Sequence, residues 1–502
     1  MNRIYYLATL ALLALASCTN LDDDFRPSNP KKQPSKRSEV QHYQVSLRSA
    51  TYFAQKLQLE DGVSRQIKSI EPVASGQDTL LYFVNYAKDQ GWVVLSGDKR
   101  TEAILASSTV GSISKDALGG AAVWFDDLAG KIYGIKHSNS KASQSGDYAM
   151  WCKIDTLILG LRPERKEARA LQPDRPREED MREPEYVDYL ISAKTEVMVD
   201  KKVGPLIKTK WGQDVPWNSC TPFWQDTQKR CPTGCVAVAG AQMLYYFHSL
   251  KNKPRVFFSQ GSCRGWIGGG HSASYSFSFS NPQEDVWDQM ALSEYESQES
   301  TYPVALLMGF VGSQIDMKYR EKASSADDEK LVRLYRDFGI RSEYADYKEE
   351  LVRASLDNNL PVNVSAYAER RRPIKFIGIG WIYDRGHAWI IDGYKDKRIC
   401  YTYTYERHPW RETRDESYSS VQSHQPKVGT VRIEPSFKLE RPKYEIIETS
   451  TVSISYFWKM NLGWDGQADD ADYGTWEGEI WDVGGPQYRY EYKKKIIHNF
   501  SF

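Results

Sequence analysis

Apolar positions along this chain fall in three stretches, separated by two segments that carry almost none. The first, Ile4 to Ala16, is an unbroken apolar run too short to span a bilayer. The second occupies residues 40–160. It opens with three-and-four spacing near Ser46 to Leu59, which predicts an amphipathic helix, and continues with the strand-like runs Thr79–Asn85 and Gly91–Ser96. A small α+β domain is expected there. The third, residues 201–502, resumes with strands and helices and no comparable break. Of the intervening segments, residues 18–39 read as a flexible tether, Pro-, Ser-, Lys- and Arg-rich over 26–40. Residues 161–200 read as a charged linker, which should be exposed and cut to activate the protein. Residues 395–450, with clustered charge and Tyr, read as an insertion between strands.

At 502 residues the chain is long enough for two or three domains, and an aromatic share of 13% leans towards β-rich structure. The 66 basic residues balance 66 acidic ones, so no broad positive field is available for nucleic acid or an anionic membrane. Membrane attachment would have to come from the start of the chain. There Arg3 precedes the apolar run and Leu15-Ala16-Ser17-Cys18 follows it, a lipobox that predicts a signal peptide over 1–17 and lipidation of Cys18. Asp22, Asp23 and Asp24 resemble the sorting signal of certain Gram-negative surface lipoproteins, although a merely soluble tether reads the same way. The expected location is the cell envelope, at the outer membrane or cell surface, or free after processing. Seven cysteines are present; without Cys18 and one working thiol, five remain, which cannot all pair within one chain.

Four segments carry candidate chemistry. In Cys231-Pro232-Thr233-Gly234-Cys235-Val236-Ala237-Val238, the helical spacing begins at Val236 and places Cys235 at a helix N-terminus. Unsatisfied backbone N–H groups there favour a thiolate by up to about 2 kcal/mol, too little for full ionisation at neutral pH without a cationic partner. His387, opening the apolar strand Ala388–Ile391 after Gly386, is the candidate partner, able to take the thiol proton and return it to a leaving amine. Asn461, at the end of Tyr456-Phe457-Trp458-Lys459-Met460-Asn461, offers an amide oxygen for the imidazole N–H, and Trp464 a shield for that bond. Gln213, in Trp211-Gly212-Gln213-Asp214, with the N–H of Cys235, offers donors for a tetrahedral oxyanion. Each alone has an ordinary structural reading: a buried thiol, a core histidine, a turn asparagine, a loop glutamine.

Together these segments resemble the streptopain family of cysteine peptidases, over most of residues 200–500. The resemblance implies a papain-like two-part catalytic domain, a helical part plus an antiparallel sheet part, with Cys235 as nucleophile, His387 as base and acid, Asn461 as orienter and Gln213 as oxyanion donor. Leu462 departs from the family, which usually has Trp there. Residues 80–85 and 91–100 resemble that family's inhibitory propeptide, implying a zymogen whose own propeptide is an intramolecular inhibitor. Polypeptide is the substrate class implied, with no cofactor.

Other segments carry less. The glycine-rich Gly261–Gly270 lacks the residues of a phosphate loop and reads as a cleft loop ahead of a strand. Cys231 and Cys235 lack the further ligands of a zinc site, and Asp465–Asp472 reads as a solvated turn, so no metal is expected. The competing function is a surface binding protein that keeps the fold without turnover.

Overall fold

The computed structural model describes residues 43–115, 118, 121–138, 146–160, 186–224, 226–251, 260–266, 272–278, 287–371, 382–409, 444–466, 469–475 and 492–502. Cys18 and the cleavable part of the expected linker, residues 161–185, lie outside them. The amino-terminal part runs α1 (Leu47–Lys56), β1 (Leu57–Gln58), β2 (Ile67–Ser75), β3 (Asp78–Tyr86), β4 (Trp92–Ser96), β5 (Ile104–Ser108), α2 (Ala122–Lys136) and α3 (Gly146–Leu159). The remainder runs β6 (Tyr186–Val203), α4 (Cys235–Lys251), β7 (Gln260–Trp266), β8 (Ser272–Ser278), α5 (Gln298–Gln314), α6 (Lys330–Asp337), β9 (Arg341–Asp346), α7 (Glu349–Asp357), β10 (Val362–Arg371), β11 (Ile382–Pro409), β12 (Glu445–Asn461), β13 (Asp472–Gly474) and β14 (Tyr492–Ser501). The fold is α+β, an antiparallel-dominated sheet with helices packed on both of its faces.

The expected first helix forms as α1. Ser46 caps it, its Oγ accepting from the Ser49 N–H at 3.0 Å, a contact worth about 1 kcal/mol. Ala50, Phe53 and Ala54 then fall on its buried face. The strand-like runs become β3 and β4, which pair antiparallel. Gly261–Trp266, expected as a loop, lies within β7, paired antiparallel to β8.

Twelve strands make one sheet, ordered β2-β3-β4-β5-β13-β12-β11-β10-β14-β9, with β6 on β11 and β1 on β6. The amino-terminal strands thus continue directly into the sheet of the remainder, joined where Asp472 and Tyr473 of β13 pair with Ser107 and Ala106 of β5. Strand β11 organises the rest. Its first residues pair with β10 up to Ile391, and from Tyr394 onward the same edge pairs with β6. Gly393 sits at that handover: a Cβ there would lie 2.4 Å from the Val203 carbonyl oxygen, so only glycine lets β6 arrive.

Side chains of β11 alternate between two cores. Ala388 and Ile390 join a core built from α4, α5 and α6, with Trp211 and Trp217. Trp389, Ile391 and Tyr394 face the other side, joined by Phe83 and Val94 of the amino-terminal strands and Trp124 and Phe125 of α2. A third core lies under the long arms of β6, β11 and β12, where Ala193, Val197, Ile399, Tyr401 and Tyr403 meet Phe53 of α1 and Trp151 of α3. Residues 186–200, expected within the linker, are strand, with Ala193, Thr195 and Val197 buried. Their apolar face is carried by little more than Ala193 and Val197, too sparse among charges to register as a period of two. The arms of β11 and β12 also take up both ends of the expected insertion, residues 410–443 lying outside those described.

A buried ion cluster ties the amino-terminal part to this sheet. Asp472 meets Lys395 at 3.2 Å and Lys459 at 2.8 Å, and also Lys397; Glu60, following β1, pairs with Lys395 and lies 3.3 Å from Lys397. Glu60→Gln leaves the lysines under-neutralised. After a nick within 161–185, the variant's amino-terminal part should leave on dilution at a concentration about tenfold higher than the wild type's, a change of about 1.4 kcal/mol, measured by gel filtration.

Candidate active site

Helix α4 begins at Cys235 itself. The turn before it requires Gly234, with φ +89° and Met317 Cε 2.7 Å from where a Cβ would sit. The backbone N–H groups of Ala388, Val236 and Cys235 lie near the Cys235 sulfur and favour its thiolate. Burial raises its pKa; those amides oppose the rise, and the nearby charge of Asp328 adds to it. Cys231, four residues earlier, is buried, and its pKa is pushed up to about 11, so it is no rival nucleophile at neutral pH.

His387 is buried, and its ring stacks on Trp389 with centroids 5.8 Å apart and planes 13° off parallel. Its Nε2 lies 3.0 Å from the Leu462 carbonyl oxygen. A carbonyl can only accept, so Nε2 carries the proton and Nδ1 is the ring's basic position. Burial lowers its pKa to about 4, the Leu462 carbonyl opposing. The unfolded chain therefore takes up this proton first. Titrating the folded protein downward should cost stability from the usual value of 6.5 to about 4, seen as a falling melting temperature that His387→Gln flattens.

The Ala388 N–H near the sulfur brings the strand of His387 to the helix of Cys235, and burial disfavours the charged form of both groups. The expected bond from the imidazole to Asn461 is replaced. Asn461 Oδ1 accepts from Gln242 Nε2 at 2.9 Å, and Asn461 Nδ2 donates to the Thr209 carbonyl at 2.7 Å. Gln242 Oε1 in turn accepts from Thr209 Oγ1 at 2.7 Å. Buried amides satisfied this fully have no reason to turn outward, and the adjacent Leu462 carbonyl takes the ring N–H. Asn461 anchors the turn that presents this carbonyl, and Gly463, at φ +69°, lets the chain make it.

Trp464 lies beside the imidazole, ring centroids 6.4 Å apart. Gly386, one residue before His387, pairs with Tyr367 of β10. Gln213 is held to the Cys235 loop by its backbone, its carbonyl accepting from the Thr233 N–H at 2.9 Å. Sequence reading passed over Gln242, although a glutamine seven residues past Cys235 on an apolar helix face is a detectable signal. It also misread Asp465–Asp472 as solvated. Asp465 accepts from Trp217 Nε1 at 2.6 Å, Asp469 from the Leu462 N–H at 2.9 Å, and Asp472 is 3% exposed. Among the described residues, no three His, Cys, Asp or Glu side chains converge as a metal would require.

Comparison with known proteins agrees with this arrangement of parts. Residues 211–410 match the Peptidase C10 family and residues 39–132 the Spi protease inhibitor family, more than half of the chain together. Streptopain of Streptococcus pyogenes is 22% identical over 408 residues, covering 78% of this chain and 85% of that protein. Among solved structures, a prointerpain A fragment from Prevotella intermedia is 16% identical, with a TM-score of 0.46 over 86% of this chain and 98% of its own. Active interpain A from the same organism is 20% identical, with a TM-score of 0.35 over 60% of this chain and 95% of its own. With a Peptidase C10 domain behind a Spi-type inhibitor domain, the chain has the parts of a streptopain-like cysteine peptidase preceded by its propeptide.

Proposed function

We propose that this protein is a secreted endopeptidase, made as a zymogen and anchored through Cys18, whose Cys235 thiolate hydrolyses peptide bonds. The observation that carries this reading is that the Cys235 sulfur, at the start of α4, lies near the N–H of Ala388, the residue after His387. In the working form Nδ1 of His387 takes the thiol proton, and the thiolate attacks the peptide carbonyl carbon. The oxyanion accepts hydrogen bonds from the Cys235 N–H and the Gln213 side-chain amide. The imidazolium then protonates the departing amine as the C–N bond breaks, and water releases the acyl group from sulfur. Trp464 keeps water from the imidazole.

Burial that disfavours both charged forms fits a precursor held off. A low-reactivity thiol in the full-length chain and a high-reactivity one after cutting within 161–185 is the expected pattern. Iodoacetamide labelling of Cys235 at pH 7 should accelerate about tenfold or more on cutting. Equal rates before and after would remove the zymogen part of the reading. Hydrolysis of a denatured polypeptide by the cut protein, absent in Cys235→Ser, tests the peptidase part; rapid thiol labelling without turnover would favour the binding-protein reading. Mass spectrometry of the exported protein reports lipid on Cys18 and the position of the cut.

A further inference from the structure

The turn that presents the Leu462 carbonyl is pinned at several points, and one of the pins has no part in the chemistry above. Asn461 is held by Gln242 and Thr209, and Asp465 by Trp217. Leu462 itself is held on its other side: its N–H donates to Asp469 Oδ1 at 2.9 Å, while its carbonyl accepts from His387 Nε2 at 3.0 Å. One residue therefore joins a carboxyl to the imidazole by two backbone hydrogen bonds.

We propose that Asp469 is a positioning residue for His387, acting through the Leu462 backbone to set the ring's tautomer and its angle to Cys235. The side chain of Leu462 is buried and gives the turn packing without direction. Direction comes from hydrogen bonds, and Asp469 supplies the acceptor for the N–H. Asp469 Oδ2 is buried with no partner among the described residues. A carboxylate so placed is costly, and burial, against the Leu462 N–H and with the charges of Asp392 and Asp470 adding, pushes the pKa up to about 8, the charge of Lys210 opposing. At neutral pH the group is therefore mostly a neutral acid, whose Oδ1 accepts while Oδ2 keeps the proton. An amide reproduces that acceptor; an alkyl side chain does not.

The inference rests on Cys235 and His387 acting as proposed. In the linker-cut full chain, D469L should lower kcat about 10- to 100-fold, the scale of a misplaced catalytic group, with KM changed less than about threefold. D469N should recover most of that loss. A purely structural role would not separate the two in this way once both are folded by circular dichroism. Should D469L not fold, D469A makes the same comparison. The ring 15N signals of His387 give a reading independent of turnover: the Nε2-protonated form in wild type and D469N, and loss of that preference in D469L or D469A. Turnover and tautomer in the alkyl variant equal to wild type, or an equal loss in D469N, would overturn the inference. A wild type with no Cys235-dependent turnover would instead overturn the reading beneath it.

Discussion

Replacing Cys235 by alanine is expected to abolish hydrolysis of a denatured polypeptide by the linker-cut protein, a fall of about 10⁴-fold or more in kcat. The loss should leave the fold intact, because the residue as a whole is only partly buried and alanine keeps the helix start. His387→Ala should fall nearly as far if thiol and imidazole act as the proposed unit, the second loss then adding little to the first. The double variant should therefore resemble either single one. Residual activity within tenfold of wild type in Cys235→Ala would show that another group attacks; the pKa of about 11 at Cys231 makes the neighbouring thiol a poor substitute.

The second large effect concerns stability. Asp472→Ala should destabilise the full chain by about 3–5 kcal/mol, because three lysine side chains, each at most 8% exposed, lose the carboxylate they share. Burial alone would raise the Asp472 pKa, but Lys397, Lys459 and Lys395 overcome it and hold the group at about 2. Its folded value lies below the ordinary 3.8, so its contribution is complete above that value and is lost as pH falls towards about 2. Wild type and Asp472→Ala should therefore converge in stability through that acid window and differ most near neutrality. Urea midpoints across pH check both statements. A variant within 1 kcal/mol of wild type at pH 7 would mean that water enters the cluster and screens the lysines.

What could be read from the chain depended on whether a feature lives in side chains or in the backbone. The start of α4 and the strand after His387 were legible because their apolar spacing is dense and Gly234 and Gly386 punctuate it. The order Gln213, Cys235, His387, Asn461 was legible as residue types. The acceptor on the imidazole was not, because a carbonyl of Leu462 has no sequence signature, and only the fold shows that Asn461 is taken up by Gln242 and Thr209. The union of the amino-terminal strands with the sheet of the remainder was also hidden, since β13 has only three residues and β6 a buried face of scattered small side chains. Aspartates misled for a related reason: in Asp465–Asp472 charge signalled solvent, whereas Trp217, the Leu462 N–H and three lysines make burial tolerable.

The pH dependence of Cys235 alkylation in the linker-cut protein, compared between wild type and His387→Ala, tests the nucleophile pair most directly. Wild type should stay reactive well below the ordinary thiol pKa of about 8.5, and the alanine variant should lose that reactivity until pH rises to the ordinary value or beyond. Identical curves for the two proteins would contradict the pairing of this thiol with this imidazole.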